Sequence, residues 1–242
     1  MRRINFRLLL LLTVAAFFAS GCLIVINGKS VQGSGKIITE ERVVSEFNKI
    51  HLEGSGNVVL TQGEKQSLII KTDDNIIPHI GIDVSGKKLA ISHGTHHLRP
   101  TTFVVNITVK NLEGVAISGS GDISGKGRFV TDAFYAEISG SGDVELDVET
   151  GNLVSKISGS GAIHLSGKAE DYTLSISGSG KINAFDVEAK NVSVKISGSG
   201  DCRVYATESL DAKISGSGDV YYKGRPQINA KISGSGSLIS RD

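Results

Sequence analysis

The chain has 242 residues, a formal net charge of +1 and a hydrophobic fraction of 39%. Its 30 glycines are too few for a collagen helix, and it is too apolar for intrinsic disorder. Balanced charge excludes a global basic field for nucleic acid, and 5% aromatics without tryptophan argue against a stacking platform for bases or sugars.

The first 21 residues read as an export signal. Arg2, Arg3 and Arg7 precede an apolar run from Leu8 to Phe18, too short for a membrane span. Ala19, Ser20 and Gly21 then lead to Cys22, an ending that resembles a bacterial lipobox with alanine in place of the usual leucine. The resemblance implies that Cys22 becomes the lipidated first residue of the mature protein, held in the membrane by several acyl chains. Leu23 rather than aspartate follows, which by the same resemblance favours the outer membrane. Cleavage removes three arginines and leaves 23 basic against 25 acidic residues. With Cys22 lipidated, Cys202 has no partner for an intrachain disulfide.

Residues 22–37 read as a tether, with turn chemistry at Asn27-Gly28-Lys29-Ser30 and Gly33-Ser34-Gly35. Strands are expected at Ile50–Leu52, Asn57–Leu60, Ser67–Ile70, Lys88–Ile91 and Phe103–Val109. One helical turn is expected between Asp73 and His79, before Pro78 interrupts it. No segment sustains a 3.6-residue period, so the chain is expected to be nearly all β.

A repeat dominates the C-terminal half. Ile-Ser-Gly-Ser-Gly begins at Ile117, Ile138, Ile157, Ile176, Ile196, Ile214 and Ile232, at intervals of 18 to 21 residues, and Gly54-Ser55-Gly56 is a related corner. This period with strand-like content predicts one domain over 38–242, an all-β, right-handed parallel β-helix or β-solenoid with coils of about 18–21 residues. Parity assigns the inward side. Phe134, Leu153, Tyr172, Val192, Leu210 and Ile228 form one apolar column. Ile123, Val144, Ile163, Ile182, Cys202, Val220 and Leu238 form another, and Cys202 there reads as a small buried hydrophobe.

The corner glycines are Gly119 and Gly121, Gly140 and Gly142, Gly159 and Gly161, Gly178 and Gly180, Gly198 and Gly200, Gly216 and Gly218, and Gly234 and Gly236. They are expected to supply positive φ and close approach of neighbouring corners. The serine between them is expected to form a hydrogen-bonded ladder. Valine at Gly198 or Gly216 should collapse the local stacking.

The segment Glu41 to Ile50, then Leu52-Glu53-Gly54-Ser55-Gly56-Asn57-Val58, Gln62-Gly63 and Thr72 to Pro78, resembles the opening of the family called the putative auto-transporter adhesin head GIN domain. The Gly-Ser-Gly-Asp coils from Ile117 resemble its second half, so the likeness spans about 38–240. It implies a cell-envelope protein with a parallel β-helix-like fold, and the family brings no catalytic motif.

Several motifs invite sharper chemistry. Gly-Ser-Gly-Lys at Gly33–Lys36 and Gly178–Lys181 lacks the spacing and the helix of a phosphate loop. Asp122, Asp143, Asp201 and Asp219 follow the corner glycine, where stacked carboxylates can either take Ca²⁺ or accept backbone N–H bonds. His93, His96 and His97 can ligate Zn²⁺ or Cu²⁺, but neither cysteine nor acid joins them, and a solvated loop is the expectation. No metal or cofactor is therefore expected. Lys156, Lys195, Lys213 and Lys231 share the outward phase and form the candidate contact stripe for a polyanion, glycan or protein. The expected function is a lipid-anchored, non-catalytic, adhesin-like scaffold. The alternative is a polysaccharide-active enzyme using Asp201, Arg203, Asp219 and Arg225. The final coil shows no cap, so self-association through solenoid ends is expected.

Overall fold

The computed structural model describes residues 30–94 and 96–241. The export signal and Cys22 lie outside the described residues. The first half contains β1 (Ser30–Gln32), β2 (Ile37–Glu41), β3 (Lys49–Gly54), β4 (Asn57–Gln62), β5 (Ser67–Asp73), β6 (Gly81–Ser85), β7 (Lys88–Ser92), β8 (His97–Arg99), β9 (Phe103–Val109) and β10 (Gly114–Gly119). The second contains β11 (Asp122–Gly140), β12 (Asp143–Gly159), β13 (Ala162–Gly178), β14 (Lys181–Gly198), β15 (Asp201–Gly216), β16 (Val220–Lys223), β17 (Gln227–Gly234) and β18 (Leu238–Ser240). No α-helix occurs among the described residues, and a 3₁₀ turn at Ile77–His79 is the expected helical turn. Pro78 lies inside that turn rather than ending it, because an N–H missing from the first turn deprives nothing of a partner.

Each of β11 to β15 leaves one glycine corner, runs around the coil and enters the next. Their neighbours pair in parallel, as a β-solenoid requires. Corner register is invariant: Gly54, Gly119, Gly140, Gly159, Gly178, Gly198, Gly216 and Gly234 stand one above another. Unequal coil lengths are absorbed away from these corners, at register shifts after Ser124, His164, Ala184 and Ala189.

The corner constrains its two glycines differently. Gly198 has φ 125°, and a Cβ there would strike the Gly178 carbonyl of the coil below. Gly200 is free of positive φ, but a Cβ would meet the Gly180 carbonyl and lie 2.6 Å from Ile176 Cγ2. The serine ladder is carried by backbone rather than hydroxyl groups. The N–H of Ser141, Ser160, Ser179, Ser199, Ser217 and Ser235 donates at 2.8–2.9 Å to the first glycine carbonyl of the coil below. Backbone amides at a tight corner are fixed in direction, whereas a hydroxyl would give up rotamer freedom for the same bond.

The inward columns form a continuous core. Phe134, Leu153, Tyr172, Val192 and Leu210 are buried, as are Ile117 through Ile214 of the repeat and Ile123 through Val220. Cys202 is buried among them, and burial raises its thiol pKa, so it is a packing residue rather than a nucleophile. Ser155 is the polar exception in its column, satisfied by a 2.9 Å bond to the buried Tyr172 hydroxyl.

The base departs from simple winding. β3 pairs in parallel with both β7 and β10, and β4 with both β9 and β11. The first coil in sequence is therefore inserted between the coil of β7 and β9 and the coil begun by β10. Antiparallel strands close the bottom, with β6 on β7, β5 on β9 and β2 on β5. The described part of the tether begins at Ser30, where β1 pairs with β8. Asp73 then fastens it: its carboxylate accepts from Gly35 N–H, Thr101 N–H and the Thr101 hydroxyl at 2.7–2.9 Å.

Candidate functional site

The solenoid presents two outward surfaces, one on the strands entering the glycine corner and one on the strands leaving it. On the entry face, strand pleating sets alternate residues outward and parallel register stacks them at roughly 4.8 Å. One column reads His51, Ala116, Glu137, Lys156, Ser175, Lys195, Lys213 and Lys231. The four lysines are thus aligned and exposed, three of them on successive coils. None has an ion-pair partner among the described residues. Beside them runs the serine column of Ser118, Ser139, Ser158, Ser177, Ser197, Ser215 and Ser233. Further out, Asn191 donates to Asp171 at 3.0 Å, Ser209 to Asn191 at 2.7 Å and Asn229 to Asp211 at 2.7 Å. These bonds hold the polar side chains in ranks, which gives a flat, preorganised face with unpaired cations.

At the foot of this face lies a groove of about 350 Å³ lined by Lys49, Glu113, Asp132, Tyr135 and Asn152. Lys49 stands 5.9 Å from the Tyr135 ring centroid and 3.7 Å from Glu113. Burial, then the charges of Glu137 and Glu113, raises the Tyr135 phenol pKa, so it acts as a neutral donor and a stacking surface.

The exit face carries the aspartates that follow the corner. Asp122, Asp143, Asp201 and Asp219 each accept from the backbone N–H one coil above, at 2.8–3.2 Å. This is the turn-capping reading, and no metal-holding cluster occurs among the described residues. Asp201 and Asp219 each have an oxygen engaged in this ladder. Arg203 stacks on Tyr221, and Arg225 stands on the turn after β16. None of the five grooves described brings these four residues together. The roomiest groove, about 640 Å³, lies lower on this face against Glu145, Asp147, His164, Asn183 and Asp186. Arg128 neutralises part of it, at 2.9 Å from Asp147 and 3.2 Å from Glu149.

Composition argues against an aromatic platform, yet stacking assembles a small one near the top of the exit face. Arg203 and Arg241 lie 5.6 and 4.9 Å from the Tyr221 ring centroid, and Lys223 lies 4.6 Å from that of Phe185. Cations held over rings keep donors free for an anion or a sugar hydroxyl. The register of Asn183, Arg203 and Tyr221 is readable in the repeat alignment; the approach of Arg241 from the last coil is not.

The histidine loop is taken up by packing. His93 lies under the Gly54 corner, where a Cβ would come 2.7 Å from its Nδ1, and it meets Phe103 edge-on at 5.1 Å. His96 turns to His79, with ring centroids 4.5 Å apart. His93 thus fills the space beneath the Gly54 corner, whereas His97 is exposed on β8.

A parallel β-solenoid closed at its base, with ranked polar faces, defines the class of protein. The chain belongs to the family described as "putative auto-transporter adhesin, head GIN domain", which it matches over residues 46–226. Three solved structures share the fold. A putative adhesin from Bacteroides fragilis is 32% identical at TM-score 0.83, covering 87% of this chain and 100% of its own. A putative lipid binding protein from Parabacteroides distasonis is 28% identical at TM-score 0.78, covering 88% and 100%. A putative adhesin from Parabacteroides merdae is 27% identical at TM-score 0.70, covering 89% and 100%. Comparison with curated proteins gives no match. Membership implies an adhesin-like protein of the cell surface or envelope.

Proposed function

We propose that this protein is a lipid-anchored envelope module, tethered at Cys22 and without catalytic activity, whose entry face binds an acidic glycan or surface polymer. The observation that carries the reading is the alignment of Lys195, Lys213 and Lys231 on successive coils without carboxylate partners among the described residues. Like charges at this spacing repel, and an anion laid along the column relieves that repulsion. The flat serine ranks beside them leave room for an extended polymer. An outer-membrane anchor fits the lipobox-like ending and Leu23.

The test uses the mature chain carrying Cys22→Ser, which keeps every described residue, and a carboxylated polysaccharide measured by calorimetry. Binding should weaken steeply as salt rises through the range that shortens screening lengths. Replacing the three lysines by glutamine should abolish the salt-sensitive part. Salt-insensitive binding, or binding unchanged in that variant, would overturn the reading. Metabolic labelling with a palmitate analogue, lost in Cys22→Ser, tests the anchor separately.

A further inference from the structure

The two ends of the solenoid are finished in opposite ways. At the base, antiparallel strands cover the last coil. At the top, β17 pairs with β15 alone and β18 with β16 alone, which leaves one backbone edge of each unpaired among the described residues. The core columns surface there. Ile228 and Ile232 are 46% and 43% exposed, whereas Leu210 and Ile214 directly below them are 1% exposed. Exposed strand edges backed by apolar side chains are surfaces that other strands complete.

We propose that this open end is a homophilic contact, in which β17 pairs antiparallel with β17 of a second copy about a twofold axis through Ala230. Three observations select this occupant. First, the fold closes its own base with antiparallel strands, so a terminal coil accepts a partner of that direction. Second, the inward side of β17 reads Ile228, Ala230 and Ile232, which is symmetric about its centre. Pairing about Ala230 is the one register that sets each isoleucine against an isoleucine and Ala230 against itself, as a twofold interface requires. Third, the outward side sets no like charges directly opposite each other. Lys231 of each copy falls opposite Asn229 of the other, and Asn229 is itself bonded at 2.7 Å to Asp211, so the cation is delivered toward a carboxylate. Continuing head to tail would instead set β17 on the base, where β6 is shorter and its Ile82 and Val84 are already partly buried.

The chain enters the fold at the base, through β1. The open end is therefore remote from β1, and a top-to-top pair carries its two β1 strands at opposite extremes. With the anchor proposed above, on which this consequence rests, the contact joins copies on two facing surfaces.

Sedimentation of the chain from Cys22 onward, with Cys22→Ser, should show a concentration-dependent dimer and no larger species. Ala230→Asp places two carboxylates together at the axis and should weaken the dimer by at least about tenfold, while the circular dichroism spectrum stays unchanged. Ala230→Cys should crosslink to itself on mild oxidation, because directly opposed residues have Cα atoms about 4.5–5.5 Å apart, within disulfide range. Ile228→Cys should not, since Ile232 is its counterpart. A monomer at all soluble concentrations, open-ended polymers, or equal crosslinking of both cysteine variants would overturn the contact. Vesicles carrying the chain on an artificial N-terminal anchor should cluster, and Ala230→Asp should disperse them. Clustering that fails while the soluble dimer stands would refute the facing geometry and leave the anchor to its own labelling test.

Discussion

The base, from Ser30 to Leu112, and the repeat, from Glu113 to Ser240, share one corner register but are built by different rules. In the repeat each coil after the first, which rests on β3 and β4, stacks on its predecessor in sequence, and one pattern of glycine, isoleucine and alternating parity suffices for every rung. In the base the coil order is permuted, strand directions are mixed, and one-off residues replace the glycine corner. His93 and Phe103 fill the space beneath Gly54 and Gly56. A period can specify an interior, because every coil meets the same neighbours above and below. It cannot specify an end, where one neighbour is missing. The base solves that problem with non-repeating sequence, and the top, among the described residues, leaves it open.

The largest effect that would break this comparison lies in the corner. Gly200→Val should cost more than about 4 kcal/mol, because the added atoms meet backbone that other coils hold in place. Denaturant melts should show a collapsed midpoint or no cooperative transition. Gly127→Ala is the contrast. Its φ is 78° and nothing lies within 4 Å of a Cβ, so only the conformational cost of about 1–2 kcal/mol remains. Equal losses at the two sites would mean that corner stacking is not what the repeat depends on. Next in size is Tyr172→Phe, which strands the buried Ser155 hydroxyl and should cost about 1–3 kcal/mol. Adding Ser155→Ala should recover most of it. Below that stands Cys202→Ala, a loss of about 1 kcal/mol for one buried sulfur, with no native reactivity toward thiol reagents.

How much of the molecule was legible from sequence divides along the same line. Phe134 through Leu210 and Ile123 through Val220 could be assigned inward from parity, since a strand's period is two and each coil repeats it. In the base β3, β4, β5, β7 and β9 were legible one at a time, whereas the short strands β1, β2, β6 and β8 were not, and neither was any pairing. Local alternation in Ile50–Leu52 does not state that β3 will lie between β7 and β10. The lysine column was visible as a phase. The cluster of Arg203, Tyr221 and Arg241 was missed because composition averages over the chain, whereas stacking concentrates three side chains from three coils. The aspartate column left cation binding and turn capping open until the backbone N–H groups above it were located.

The smallest expected effect separates the halves by pH. Of the chain's six histidines, five lie in the base and His164 alone in the repeat. Burial lowers the His93 pKa below its ordinary 6.5, and its buried Nε2 has no hydrogen-bond partner among the described residues. The folded base thus holds His93 neutral where the unfolded chain would take a proton. As pH falls below 6.5 the unfolded state binds protons first, and base stability declines until the lowered folded value is passed. Asp73 acts at more acid pH. Burial alone would raise its carboxyl, but the donors from Thr101 and Gly35 outweigh that and hold it below 3.8, so its contribution is lost as pH falls through that lowered value. Hydrogen exchange at stepwise lower pH should therefore loosen β1, β7 and β9 before any of β12 to β15. His93→Phe should remove the first step and leave the second. Uniform loosening of both halves would show that the base is not the acid-sensitive part of the molecule.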